Sequence, residues 1–195
     1  MHGLINRAIE RFVRDTYGRD TWGQVVARAE LEFAEFESML TYEDEVTEQV
    51  LEAVGTVLGK PREEVLEDIG TYLVSHPKVE ALRRLLRFGG VDFTEFLHSL
   101  DDLPGRARLA VANLDMPDLE LREHGSLSFS LICRSPKVGF GHVLIGLLRA
   151  MADDYGALVM LDHKGSKEGT EIIEVRLLAM EHASGRRFEL SAGAA

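Results

Sequence analysis

One cysteine, Cys133, in 195 residues rules out an internal disulfide and any cysteine-built zinc cluster, and it fits a reducing compartment. Positive charge is scarce: 22 Lys and Arg stand against 33 Asp and Glu, a net charge of -11. That balance argues against nucleic acid or an anionic membrane as the main partner. No apolar run approaches the roughly 18–20 residues needed to span a bilayer. The opening "MHGLINRAIERFVRDTYG" carries charge throughout, so it is not read as a signal peptide and a cytoplasmic protein is expected. The seven histidines, among them His2, His76, His124 and His182, form no HxxxH or HExxH pair. A G-x-S-x-G nucleophile elbow is also missing. Carboxylates on helix faces read as solvated charge, and the chain is expected not to be an enzyme.

What is present divides near Pro117. The first part repeats apolar residues at helical spacing: Ile5, Ile9, Phe12 and Val13, then Val46, Val50, Leu51, Val54, Val57 and Leu58, then Val65, Leu66, Ile69 and Leu73. "VDFTEFLHSLDDL" puts Phe93, Phe96, Leu97, Leu100 and Leu103 on one face and is expected to stop near Pro104. Beyond Pro117 the period changes to two. In "LSFSLIC", Leu127, Phe129, Leu131 and Cys133 point one way with serines between them, as in a half-buried strand. Cys133 therefore reads as a core thiol, not a nucleophile. "GHVLIGLLRAMADDYG" reads as an apolar helix, "ALVMLDHKGSKEGTEIIEVRLLAM" as a hairpin and "RRFELS" as a last short strand. The expected class is α+β: a helical N-terminal lobe packed on a C-terminal lobe with an antiparallel sheet and helices.

The turn "VGFGH" could cradle a phosphate through Gly139 and Gly141, with Asp162 at the distance of a ribose-binding acid. The third glycine of that motif is out of place, since His142 to Ile145 precede Gly146. A glycine-rich entry to a packed helix is the favoured reading, and a nucleotide site is kept as a remote alternative.

Taken in order, "MHGLINRAIERFVRDTYG" with Trp22 and Val25, "VLEDIGTYLV", "LLRFGGVDFTEFLHSLDDL" and "GHVLIGLLRAM" resemble the H-NOX family. These are the haem-nitric oxide/oxygen-binding domains of bacterial sensors and of soluble guanylate cyclase. The similarity runs from residue 1 to about residue 155, and it is closest to the bacterial stand-alone type. It implies one domain over 1–195, divided into an N-terminal helical lobe over 1–65 and a C-terminal α+β lobe over 66–195. It also implies a haem b site at Ile5, Pro104, Pro117, Cys133, Ser135 and Lys137.

Several family residues are replaced. A phenylalanine-leucine pair leads in the family to an iron-binding histidine; here that frame runs through Phe96, Leu97, Leu100, Asp101, Asp102 and Leu103 to Pro104. Proline has no ligating atom. The Y-x-S-x-R motif that grips the haem propionates falls on Cys133, Ser135 and Lys137, so the serine is kept and lysine preserves the charge. On a continuous helix begun at Phe93, residue 104 lies at about 20°, inside the apolar stripe, and His98 at about 140°. His142, where some members carry a distal tyrosine, forms a row with Gly146 and Ala150 suited to a flat partner or another helix. His142 is the first candidate for a replacement iron ligand and His98 the second. The implied function is a haem-based nitric oxide sensor with non-standard ligation. Its partner would be a separately encoded diguanylate cyclase or histidine kinase, because nothing here resembles a GGDEF, kinase or cyclase segment. A haem-free regulatory module of the same fold is the alternative.

Overall fold

The computed structural model describes residues 1–111, 114–137 and 139–188. Helices α1 (Gly3–Tyr17), α2 (Arg19–Arg28), α3 (Asp44–Leu58) and α4 (Arg62–Ser75) come first, followed by α5 (Glu80–Arg87), α6 (Phe93–His98) and α7 (Leu103–Ala110). Then come β1 (Asp118–Gly125), β2 (Ser128–Arg134), α8 (Phe140–Tyr155), β3 (Leu158–Lys167) and β4 (Thr170–Ala179). The strands form one antiparallel sheet in the order β1-β2-β4-β3, as the α+β expectation required.

The apolar stripes read from the sequence meet in two clusters. Ile9, Phe12 and Val13 of α1 pack with Trp22, Val50, Val54, Val65, Ile69 and Tyr72. The second cluster joins Phe93, Phe96 and Leu97 of α6 to the inner face of the sheet and to Leu144, Leu148 and Met151 of α8. Phe129, Leu131 and Cys133 of β2 and Ile173, Val175 and Leu177 of β4 supply the sheet's share, each following the two-residue alternation.

The clusters are joined where α4 crosses α8. A Cβ added at Gly70 would fall on the Val143 carbonyl, and one added at Gly146 on the Glu67 carbonyl. The row His142, Gly146, Ala150 is thus occupied by a helix. Thr71 Oγ1 also donates to the Gly146 carbonyl at 3.3 Å.

Three local expectations are corrected. Pro104 does not end a helix. The chain tightens into a 3-10 turn at Ser99–Asp102, and α7 starts at Leu103 with Pro104 in its first turn. There its missing N–H costs no hydrogen bond and its fixed φ suits the helix. The angular phase that placed residue 104 on one continuous helix is therefore broken between 99 and 102. Strand β1 went unread because its charges mask the alternation of Leu119 and Leu121; it pairs Leu119 with Cys133 and Leu121 with Leu131. In "RRFELS", residues 186–188 are not strand, and 189–191 lie outside the described residues.

Two measurements follow from this packing. Gly146→Val should lower the free energy of unfolding in urea by at least about 2 kcal/mol, since overpacking against a backbone carbonyl cannot be relieved by a rotamer change. Gly23→Ala, in α2 with nothing near its Cβ position, should instead raise it by about 0.5–1 kcal/mol. Burial pushes the Cys133 thiol up to about 12, with the Glu171 charge adding to the shift. A thiol reagent at pH 8 should thus leave Cys133 unmodified in the native protein and label it fully once the chain is denatured.

Candidate functional site

The larger described cavity, about 770 Å³, lies between α3, α4, the start of α8 and the β3–β4 hairpin. Its lining includes Glu48, Arg62, Leu66, Lys137, Gly139, His142, His163, Ser166 and Glu171. Of the residues singled out in the sequence, Lys137, Gly139 and His142 line this cavity. Ile5, Pro104, Pro117, Cys133, Ser135 and His98 are not among its lining residues. Pro104 and Pro117 are buried, and Ile5 is half-buried on α1. His98 is half exposed on α6, 3.8 Å from Glu123, with its ring edge-on to Phe129.

Several polar residues around the cavity are engaged with one another or with neighbouring elements. Lys137 Nζ lies 3.0 Å from Asp44 Oδ1 at the start of α3, tying the segment after β2 to the helical lobe. The Lys137 backbone N–H donates to Ser135 Oγ at 3.1 Å. His142 Nδ1 is 3.4 Å from Glu67 Oε1, and Arg149 holds the other oxygen of Glu67 at 2.8 Å. The His142 ring stacks on His163, with centroids 4.2 Å apart and planes 17° from parallel. His163 Nε2 lies 3.1 Å from Glu171 Oε1, while its Nδ1 accepts the Gly165 N–H at 3.1 Å. Glu171 Oε2 receives two backbone amides, Gly139 N–H at 3.0 Å and Gly141 N–H at 3.2 Å.

Thus Gly139 and Gly141 do present amides to an anion, but the anion is the chain's own Glu171 carboxylate. That is the finding for the nucleotide alternative: the amide pair is filled internally. The sheet is antiparallel, so it also lacks the parallel crossover of a dinucleotide fold. Sequence reading missed His163 and Glu171 as partners of His142, because they sit on three separate elements with no short spacing. One signal was there to be used. Glu171 has the same strand parity as Ile173, Val175 and Leu177, so a carboxylate was placed on the inward face of β4.

The haem frame can be tested on packing. Leu97, Leu100, Cys133 and Leu148 are fully buried, and they belong to one continuous cluster with Leu103, Leu119 and Leu144. Of the six implied haem positions, Cys133 is the one in this cluster, and it has no exposed surface. Residue 104 offers no donor, the tyrosine position of the propionate motif is a core thiol, and the small-residue row of α8 is filled by α4. Proline at residue 104 and a buried thiol at residue 133 do not supply the iron donor and the propionate-binding hydroxyl that a haem would use there.

The profile of the Haem-NO-binding family matches residues 2–163. Soluble guanylate cyclase gcy-31 of Caenorhabditis elegans is 25% identical over 154 residues, which are 79% of this chain and 22% of that protein. Soluble guanylate cyclase 89Da of Drosophila melanogaster is 22% identical over 158 residues, 81% of this chain and 24% of that protein. The chain therefore spans about a quarter or less of these relatives' length. Among solved structures, the unliganded Fe(II) H-NOX protein of K. algicida superposes with a TM-score of 0.77 at 18% identity, covering 91% of this chain and 96% of that one. The Fe(II)NO form of an S. oneidensis H-NOX protein gives 0.75 at 17% identity, covering 91% and 99%. No helix among the described residues is long and apolar enough to cross a membrane. With the fold matched across nearly its whole length and the family profile covering most of its sequence, the chain belongs to the haem-NO-binding, or H-NOX, family.

Proposed function

We propose that this chain is a haem-independent regulatory module built on the H-NOX fold, non-catalytic itself and acting through a separate partner protein. The observation that carries the reading is the missing donor: proline stands at residue 104, and Cys133, at the tyrosine position of the propionate motif, is packed into the core. The replacements at 104 and 133 agree with it, since they remove the iron donor and the tyrosine of the propionate motif. A diguanylate cyclase or a histidine kinase is the proposed partner class, and a cytoplasmic location goes with it.

A second reading is the haem-based nitric oxide sensor with altered ligation. The retained Pro117, Ser135 and Lys137, in family order, favour it. It would draw its iron ligand from His142 or His98. Against it, His142 is engaged by Glu67 and His163 on the α4 side of α8, whereas Leu144, Leu148 and Met151 face the core.

Haem titration separates the two. The purified protein should show no Soret band and take up no stoichiometric haem on reconstitution. Pro104→His alone should also fail to give a histidine-ligated spectrum, because a donor without a cavity has nothing to ligate. A stoichiometric Soret band in the unmodified chain would overturn the haem-independent reading. In that case, loss of the band in His142→Ala, but not in His98→Ala, would assign the ligand.

A further inference from the structure

His142 from the first turn of α8, His163 from β3 and Glu171 from β4 each offer one donor atom, all within 4.8 Å of one another. We propose that these three residues form a binding site for one divalent transition-metal ion of the zinc type, which requires of the preceding reading only that His142 is not an iron ligand. Two imidazoles and one carboxylate suit such an ion at neutral pH, and a fourth position stays open to water from the adjoining cavity.

The surroundings are those of a supported site. Metal-binding histidines are commonly oriented by a carboxylate on the other ring nitrogen. Glu67 stands 3.4 Å from His142 Nδ1, a placement that favours the tautomer with the proton on Nδ1 and the lone pair on Nε2. The Glu171 carboxylate is buried and held by the amides of Gly139 and Gly141 through Oε2, so Oε1 is the oxygen turned to the histidines. A Cβ at Gly141 would lie 2.7 Å from His163 Nε2 and 2.8 Å from Glu171 Oε1, so a side chain there would push these two groups aside. Backbone, carboxylate and imidazole thus converge on one point.

Loading the site requires a defined rearrangement. In the metal-free form His163 accepts the Gly165 N–H on Nδ1, so its proton sits on Nε2 and is donated to Glu171. Binding through Nε2 transfers that proton to Nδ1 and releases the Gly165 amide to solvent in the exposed hairpin. The stacked rings must also turn out of parallel, because in-plane lone pairs on parallel rings cannot meet at one ion. These are side-chain movements at a cavity wall, with no change in the strands that carry them.

The test is a Zn²⁺ titration of the full chain against a chromophoric chelator, with Co²⁺ absorption reporting the coordination geometry. The unmodified chain should bind one ion, and Co²⁺ should show the intense visible bands of a low-coordinate site. His142→Ala, His163→Ala and Glu171→Gln should each weaken zinc binding at least about tenfold, while His98→Ala leaves it unchanged. Circular dichroism establishes that each variant is folded, and His142→Ala, at a half-buried position on the cavity wall, serves if Glu171→Gln fails to fold. The proposal is overturned if the folded, unmodified chain binds no stoichiometric zinc, or if binding persists undiminished in His142→Ala or His163→Ala.

Discussion

The backbone-to-backbone contact of α4 with α8 is the constraint on which the rest of this structure depends. α4 reaches the N-terminal cluster through Val65, Ile69 and Tyr72, and α8 reaches the C-terminal cluster through Leu144, Leu148 and Met151. Only glycine at positions 70 and 146 lets the two helices approach so closely. Once they touch, Glu67 can hold both His142 and Arg149, and Thr71 can reach the Gly146 carbonyl. Repulsion rises so steeply at short range that a single methyl group decides whether this seam closes.

A closed seam bears on the fate of the cofactor side. A void of even ~300 Å³, at the small end of ligand sites, would cost about 7 kcal/mol at ~24 cal/mol per Å³. That is comparable to the entire stability of a typical domain. Around Leu100 and Leu148 the side chains pack into one continuous cluster with no such void between them. Cys133 follows the same logic: small and apolar, it fits the core where a propionate-binding tyrosine would not.

Buried carboxylates show a second regularity, in that each is matched by donors from other elements or turns. Glu10 lies between Arg7 and Arg14 and accepts the Phe36 amide. Asp154 takes Arg83 Nε at 2.7 Å, and Arg87, 3.6 Å from the same carboxylate, lies over the Tyr155 ring. Glu171 has two amides and His163. An uncompensated buried charge would cost several kcal/mol, so these groups specify which surfaces meet as firmly as the apolar stripes do.

Much of the architecture was legible because it is written in local periodicity. The stripes of α1, α3, α4 and α8, and the alternation in β2 and β4, follow from spacings of 3.6 and two residues. The ordered family segments marked the fold, and the donor's absence at 104 was visible as a proline. β1 was not legible, since its charged residues hide two inward leucines, and neither was the tightened turn at 99–102 that re-phases Pro104. What the sequence determined by itself is the set of faces each element must bury and the chemical groups the chain lacks. Tertiary structure alone decided that the row of small residues on α8 would receive α4, that the glycine amides would be satisfied by Glu171, and that His142 would meet His163. Those outcomes depend on distances between residues far apart in the chain, which no local spacing encodes and which packing sets only when the two cores close on each other.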